Sequence, residues 1–536
     1  MSKTQITSAA KEILSRWRAA NSPSSAAELP ALLTDLITTS DPWVIPQIAG
    51  ALVSEGEIGR MAQDGIYHIL RQLPPEGLPD FEQTFRRSWS EIPQWNSAWH
   101  NLERTQVNWL ANSKHRTWLF GLCSFHPNGR IREVAVDYLS RQTNGDEIRF
   151  LILRLNDWVP TIRKLASRAL MARLVPAKAA HSLDCSLLFD WLGTCGRSNH
   201  IPIIDRFKAL FFQPECREAL LNGLHSSTRR VRRFFLRMIE TAPFPNGSDL
   251  LRSALVDSDP VNRLMVARQL LGRVGDSELM VLIRTLTRDP FMPIRRETIL
   301  AVLRRNPVEA VSFLNAGLFD RHHSIRELCQ FHLRNDHGQD VSLIYTKELE
   351  MGSRRRHIAL RGLADTGSNP NPAPFLAALE STDPAERAAG VYALGKLNAL
   401  PFKHALPALL DTSSKVSNQA LQVLVTRPWE SDPTSLATVF ESDSPRHVRR
   451  NALTLLMAME KWTCLPLLLR IAATDSLEGV RARKFLWKWL LNSGRATIQP
   501  SKAQNSDAQK ALAETGSKLE PDLRSELINF LADFHP

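Results

Sequence analysis

Residues 278–306 read ELMVLIRTLTRDPFMPIRRETILAVLRRN, and their spacing decides the fold. Leu279, Leu282, Ile283 and Leu286 recur at the three- and four-residue intervals that share one face of a helix. The run breaks at Arg288-Asp289-Pro290-Phe291-Met292-Pro293. Asp289 is placed to cap the orphan amides of a following helix. Pro293 suits a first turn, where a missing N–H costs little. Ile294, Ile299, Val302 and Leu303 then supply a second apolar face. The period-two alternation of a strand is absent. Two helices of roughly a dozen residues with a short turn between them make a helical hairpin.

The same pattern recurs along the chain. Asp157, Asp257, Asp289, Asp320, Asp443 and Asp475 are each followed six positions later by an arginine: Arg163, Arg263, Arg295, Arg326, Arg449 and Arg481. Glu350 with Arg356 keeps the pattern with a longer acid. Arg132, Arg232 and Arg387 keep the arginine alone, and Asp411 keeps the acid while Ser417 takes the arginine's place. From Arg232 the arginine slots fall at 263, 295, 326, 356, 387, 417, 449 and 481, in steps of 30–32 residues. Arg163 and Arg232 stand 69 apart, room for two divergent repeats or one with a long insertion. A lone hairpin cannot bury both of its apolar stripes, but stacked neighbours can, and the result is a solenoid. The acid and the arginine are then structural. The arginine, in the first turn of the second helix, pairs with the acid of its own or an adjacent repeat and makes a ladder that fixes register.

The segments DSDPVNRLMVARQLL (257–271), DPFMPIRRETILAVL (289–303), STDPAERAAGVYALGKL (381–397) and ATDSLEGVRARKFLWKWL (473–490) resemble HEAT repeats, particularly the short bacterial type. The resemblance covers about residues 115–493 and implies an all-α, right-handed solenoid, here of about eleven to thirteen hairpins with helical caps. It is nearly silent on function, since the class includes scaffolds, transport factors, bilin lyases and a group of DNA glycosylases. The rest of the chain follows from composition. Residues 1–110 are expected to form an N-terminal helical cap that can include degenerate repeats, with amphipathic segments at Ala27–Thr39 and Gly59–Leu73. Residues 111–493 are the array, 494–518 a polar linker or mobile loop, and 519–536 a C-terminal helix.

The bulk composition is globular: 43% of the 536 residues are apolar and 23% charged. The net charge of +12 favours anionic partners, although simple solubility accounts for it equally well. Six cysteines are scattered without a C-x-x-C pair, as expected in a reducing compartment. The N-terminus lacks the apolar core of a secretory signal, and no apolar run nears the roughly 18–20 residues that span a bilayer. The expectation is a cytoplasmic protein. Phosphate-loop, dinucleotide, zinc-protease and serine-hydrolase motifs are missing. His181, Cys185, Cys195 and His200 match no zinc spacing, and Cys185 lies in an apolar run. No catalytic residue, metal or cofactor is assigned.

Basic clusters remain. Arg229, Arg230 and Arg233 flank one slot. Arg296, Arg354, Arg355, Arg446, Arg450, Arg483 and Lys484 flank later ones. Stacking would align these extra cations into a stripe of the kind that meets phosphate backbones. The competing reading is a row of solvated helix starts. Arginine there opposes the helix dipole, a mild cost that repetition makes noticeable. Of Trp487 and Trp489, one is expected in the core and the other toward a ligand or the C-terminal segment. Trp89, Trp95 and Trp99 are expected to fill the cap junction. The reading that results is a non-catalytic scaffold or adaptor with a protein partner. The alternative is a nucleic-acid binder similar to HEAT-like DNA glycosylases, whose compact form is shorter than this array. If the chain were an enzyme, that activity or a lyase would be expected. Oligomeric state is left open.

Overall fold

Prolines open several helices: Pro160–Met171, Pro260–Arg273 and Pro384–Lys396 each begin on one. The computed structural model describes residues 7–19, 28–87, 97–241, 247–367, 371–493, 499–532 and 534, and every regular element among them is a helix. Asp259 and Asp383 cap their helices, accepting from Val261 N–H and Ala385 N–H. Asp289 does not do what was expected of it. The helix Met292–Arg305 has Phe291 as its N-cap with no side-chain cap, and Asp289 Oδ1 instead accepts the Phe291 N–H at 2.7 Å. Standing three residues before the helix, Asp289 is too early to reach the helix amides and orders the turn.

The chain divides into two units, Met1–Val274 and Gly275–Pro536. In the first, hairpins are built from Arg116–Cys123 with Gly129–Arg141, Glu147–Arg154 with Pro160–Met171, Arg217–Leu224 with Arg229–Thr241, and Gly247–Ser253 with Pro260–Arg273. Between Pro160–Met171 and Arg217–Leu224 stands one further hairpin. Its first arm is broken at Cys185 into Ala179–Asp184 and Ser186–Leu192, and its second arm is Ile201–Phe211. The 69-residue gap therefore holds one irregular repeat. Its core is aromatic: Phe207 stacks on Phe189 at 3.8 Å and meets Phe211 edge-on. Upstream, Trp99 is fully buried against Phe85 and His126, while Trp89 and Trp95 lie outside the described residues.

In the second unit the hairpins run from Asp276–Leu286 with Met292–Arg305 to Lys461–Ala472 with Leu477–Ser493. The second arms of successive repeats pack on one another: Arg356–Asp365 on Pro384–Lys396, and Pro384–Lys396 on Ser414–Leu424. Close approach needs small residues. A Cβ on Gly390 would lie 2.7 Å from the Phe375 carbonyl oxygen of the first arm. These are stacked helical hairpins, the form that the repeat spacing implied.

The expected linker at 494–518 is corrected. Residues 494–498 lie outside the described residues, but Lys502–Thr515 is a helix packed on Lys461–Ala472. Ser501 and Gln504 close a capping box, and Ala508, Ala511 and Leu512 turn inward, so the polar residues that suggested a linker form the helix's outer face. The last helix, Pro521–Ala532, ends the core. Phe530 lies parallel to Trp462 at 5.8 Å, and Trp489 meets Trp462 edge-on at 5.4 Å. No described helix is long and apolar enough to cross a membrane.

Trp462 is 4% exposed and holds both Trp489 and Phe530. Trp462→Ala is expected to destabilise the second unit by about 3–5 kcal/mol and to make 521–532 the first segment cut in limited proteolysis. Unchanged denaturant unfolding and an uncut terminus would show that the aromatic cluster does not hold the end of the array.

Candidate functional site

The arginine of each regular hairpin has two tasks, set by its planar, five-donor fork. Arg132 Nε and Nη2 reach the two carboxylate oxygens of Asp157, both at 2.9 Å and 25 residues onward. Arg232 holds Asp257 at 2.7 and 2.8 Å, Arg295 holds Asp320 at 2.7 Å twice, and Arg387 holds Asp411 at 2.7 and 2.9 Å. The remaining nitrogen, Nη1, turns back to the carbonyl six residues earlier. Arg132 donates to His126 at 3.0 Å, Arg163 to Asp157 at 2.7 Å, Arg263 to Asp257 at 2.7 Å and Arg295 to Asp289 at 2.8 Å. The aspartate carboxylate also accepts the amide two residues on, as Asp320 does from His322 at 2.7 Å. The six-residue spacing is thus a backbone contact within a repeat, and the ion pair always runs to the next repeat.

Where the next acid is absent, the fork changes partner. Glu350 accepts nothing from Arg326, which reaches 39 residues onward to Asp365. Asp365 is buried and also accepts from Tyr392 at 2.7 Å and Lys396 at 2.9 Å. Arg356 turns to Glu386 at 3.4 Å. At Ser417 the ladder becomes neutral: its hydroxyl donates to the Leu409 carbonyl at 2.6 Å and accepts from Asn451 at 2.9 Å. In the final repeat the expected Asp475–Arg481 rung does not form. Gly479 sits so close to the Thr474 carbonyl that a Cβ would lie 2.2 Å away, and Arg483, two residues on, donates to the Ala472 and Thr474 carbonyls. Asp443 and Asp475 are exposed and form no ion pair among the described residues.

Among the described residues, Arg163 and Arg449 keep the turn contact without a carboxylate in the fork, and each opens on a cleft. Arg163 donates to the Asp157 and Trp158 carbonyls, while the residue 25 onward is Leu188. Its cleft, of about 550 Å³, is also lined by Lys164, Arg168, Met171, His200 and Ile203. Arg449 donates to the Ser444 carbonyl at 2.8 Å, and its cleft of about 360 Å³ has Phe440, Leu467 and Ile471 as walls, with Arg470, Glu441 and Glu478 beside them.

The basic stripe is only partly available. Arg233 is held by Asn262 at 2.9 Å and Asp259 at 3.3 Å, Arg355 by Glu348 at 3.1 Å while lying over the Phe319 ring, and Arg450 by Asn418 at 3.0 Å. Arg483 serves the last turn, and Arg229 stands 3.8 Å from Asp259. Arg230, Arg296, Arg354, Arg446 and Lys484 are exposed, with no ion pair among the described residues. Lys164 and Arg168 were missed because they sit past a slot arginine in a helix whose sequence looks like any other. The sign that could have found them is the missing aspartate in the 69-residue gap.

Among the described residues, the thiols of Cys123, Cys185 and Cys329 are pushed up to about 12, and that of Cys464 to about 11, by burial. They are protonated at neutral pH and are not poised as nucleophiles. Burial pushes the Asp157 carboxyl up, but hydrogen bonds from Arg132 and the charge of Arg154 outweigh it, and the net pKa is lowered. The same balance lowers Asp257, Asp365 and Asp411 through their own arginine, tyrosine and lysine partners.

No family model and no curated protein matches this sequence. Solved structures do. Importin beta, crystallised in an ammonium sulfate condition, is 11% identical with a TM-score of 0.41, over 97% of this chain and 84% of that one. Kap95p, from a structure in which its binding induces the switch loops of RanGDP to adopt the GTP-bound conformation, is 11% identical with a TM-score of 0.30, over 95% and 66%. An engineered protein is 14% identical with a TM-score of 0.17, over 88% and 98%. At these identities and scores the fold rests on the hairpins and their stacking, and nothing about function is carried over.

Depressed carboxylate pKa values stabilise the folded state above the unfolded pKa near 3.9, and that stability drains away as pH falls through the folded values. Burial also holds His126 down to about 4 and His200 below its usual value, and such groups destabilise the fold once pH falls below the unfolded value near 6.5. Unfolding free energy is therefore expected to decline from about pH 6.5 and more steeply below about 4, with Asp365→Asn flattening the lower part. Asp320→Ala strands a nearly buried arginine and is expected to cost on the order of 3 kcal/mol, against less than about 0.5 kcal/mol for Asp475→Ala. Equal costs for the two, measured by urea unfolding, would contradict the assignment of rungs.

Proposed function

We propose that the chain is a non-catalytic scaffold that binds a protein segment carrying a carboxylate beside apolar side chains, at the Arg449 cleft of the second unit. One observation carries this reading. Arg449 is a ladder arginine that keeps its turn contact but has no aspartate in its fork. In its counterparts the next repeat supplies that carboxylate; here Asp475 holds the equivalent place in sequence but is exposed and forms no ion pair among the described residues, which leaves the fork open to a carboxylate from outside. A bidentate carboxylate is the best geometric match for a guanidinium. Phe440, Leu467 and Ile471 offer an apolar wall for a neighbouring side chain, and Arg470, itself 3.3 Å from Glu514, adds a second positive charge. Glu441 and Glu478 line the same cleft and oppose a segment with clustered acids, which favours a single acid among apolar residues. Stacked helical repeats suit this role because they present long surfaces without moving parts. The protonated, buried thiols fit a binding role better than a chemical one.

A second reading, nucleic-acid binding, is favoured by the five exposed basic residues without ion pairs. The two part cleanly. Full-length chain is used to capture partners from a nuclease-treated extract, alongside Arg449→Glu and the pair Arg229→Glu with Arg230→Glu. The scaffold reading expects a defined protein that survives nuclease, is released by Arg449→Glu and is kept by the double variant. Recovery that vanishes with nuclease, or with the double variant and rising salt, would replace it with nucleic-acid binding.

A further inference from the structure

The Arg163 cleft lies in the first unit and is lined by no carboxylate. Arg163, Lys164 and Arg168 come from the single helix Pro160–Met171, and none of them forms an ion pair among the described residues. Lys164 and Arg168 are spaced i, i+4, where like charges repel and disfavour the helix. Ser167 lies between them. The opposite wall is the start of the helix Ile201–Phe211. Its N-cap residue, His200, gives no side-chain cap, and Pro202 has no N–H to offer; Asn199 Oδ1 accepts the Ile201 N–H at 3.1 Å. His200 is 6% exposed, and its Nε2 has no hydrogen-bond partner. Burial, and then the charge of Arg163, hold its pKa down, so the ring is neutral and can donate or accept. The positive end of the helix adds to the field of the three cations.

The surroundings narrow the ligand. Met171 and Ile203 line the same cleft, so an apolar surface adjoins the charges. The three cations span six residues of one helix, about 8 Å, which makes a compact cluster and not a track for a polymer. A carboxylate would satisfy one fork and leave two cations unmatched, whereas a phosphate dianion offers three strong acceptor oxygens. We propose that this cleft binds a small phosphate monoester, its phosphate held by Arg163, Lys164 and Arg168 and its organic part laid against Met171 and Ile203. The irregular hairpin at 179–211 makes room for it. A regular repeat would have placed an aspartate against Arg163, where this one has Leu188 in sequence. This site is independent of the Arg449 reading, since it uses other residues in the other unit.

The test is calorimetric titration of the full-length chain with inorganic phosphate, phenyl phosphate, benzoate and a short single-stranded oligonucleotide. Phenyl phosphate is expected to bind more tightly than inorganic phosphate, and benzoate on the order of tenfold more weakly than phenyl phosphate. Lys164→Gln combined with Arg168→Gln is expected to weaken phenyl phosphate by about tenfold without changing the thermal melt, because both side chains are exposed. Arg163→Gln should weaken it further, although that arginine also braces its turn. Four results would overturn the proposal: no heat with either phosphate, unchanged affinity in the double variant, benzoate matching phenyl phosphate, or tighter binding of the oligonucleotide through the same residues.

Discussion

The structure depends on a guanidinium used in two directions at once. In Arg132, Arg232, Arg295 and Arg387 one nitrogen holds the turn of the arginine's own repeat, and the other two clasp the aspartate of the next. Asp157, Asp257 and Asp320 are therefore each met twice: the carbonyl by the arginine of their own hairpin, the carboxylate by the arginine before it. Asp157 shows both, receiving Arg163 on the carbonyl and Arg132 on the side chain. Hydrophobic stacking alone would leave hairpins free to slide or rotate, because apolar contact has no preferred direction. A charge-assisted fork with fixed geometry removes that freedom, and this is where a buried ion pair contributes more to specificity than to net stability.

A ladder of this kind is informative where it fails. The break at Ser417 is repaired without charge, by Asn451 and a backbone carbonyl. The break after Arg326 is repaired by Asp365, at the far end of a helix, with Tyr392 and Lys396 completing the carboxylate's partners. At Arg163 and Arg449 no described carboxylate fills the place, and a cleft opens beside each. An arginine fork that is neither paired nor fully hydrated leaves binding energy available to an incoming anion, whose class is set by the neighbouring side chains. Around Arg449 these are apolar and mixed in charge, and around Arg163 they are cationic.

The basic residues that flank the slots show why counting charges misleads. Arg233, Arg355 and Arg450 lie in the phase that a stripe would require, yet Asn262, Glu348 and Asn418 already hold them. Asn262 and Asn418 reach them only through the stacking of successive repeats, and Glu348 across the turn of a single hairpin. The positive charges that stay accessible at Arg163, Lys164 and Arg168 belong to a segment with no unusual composition.

Much of the fold was legible in the sequence because it is written locally. Three- and four-residue apolar intervals make amphipathic helices, prolines mark their starts, and the 30–32-residue step between arginine slots counts the repeats. The polar stretch around Lys502–Thr515 reads as a linker because its helix buries only an asparagine, two alanines and one leucine. The acid–arginine pairing was visible as a pattern, but its partner was not. The spacing of six reports a hydrogen bond within a turn, whereas the ion pair spans the stack. Which rungs close, which clefts stay open, and whether Asp365 or Glu350 receives Arg326 depend on distances between repeats. Those distances arise only when helices pack side to side, and no local interval in the chain encodes them.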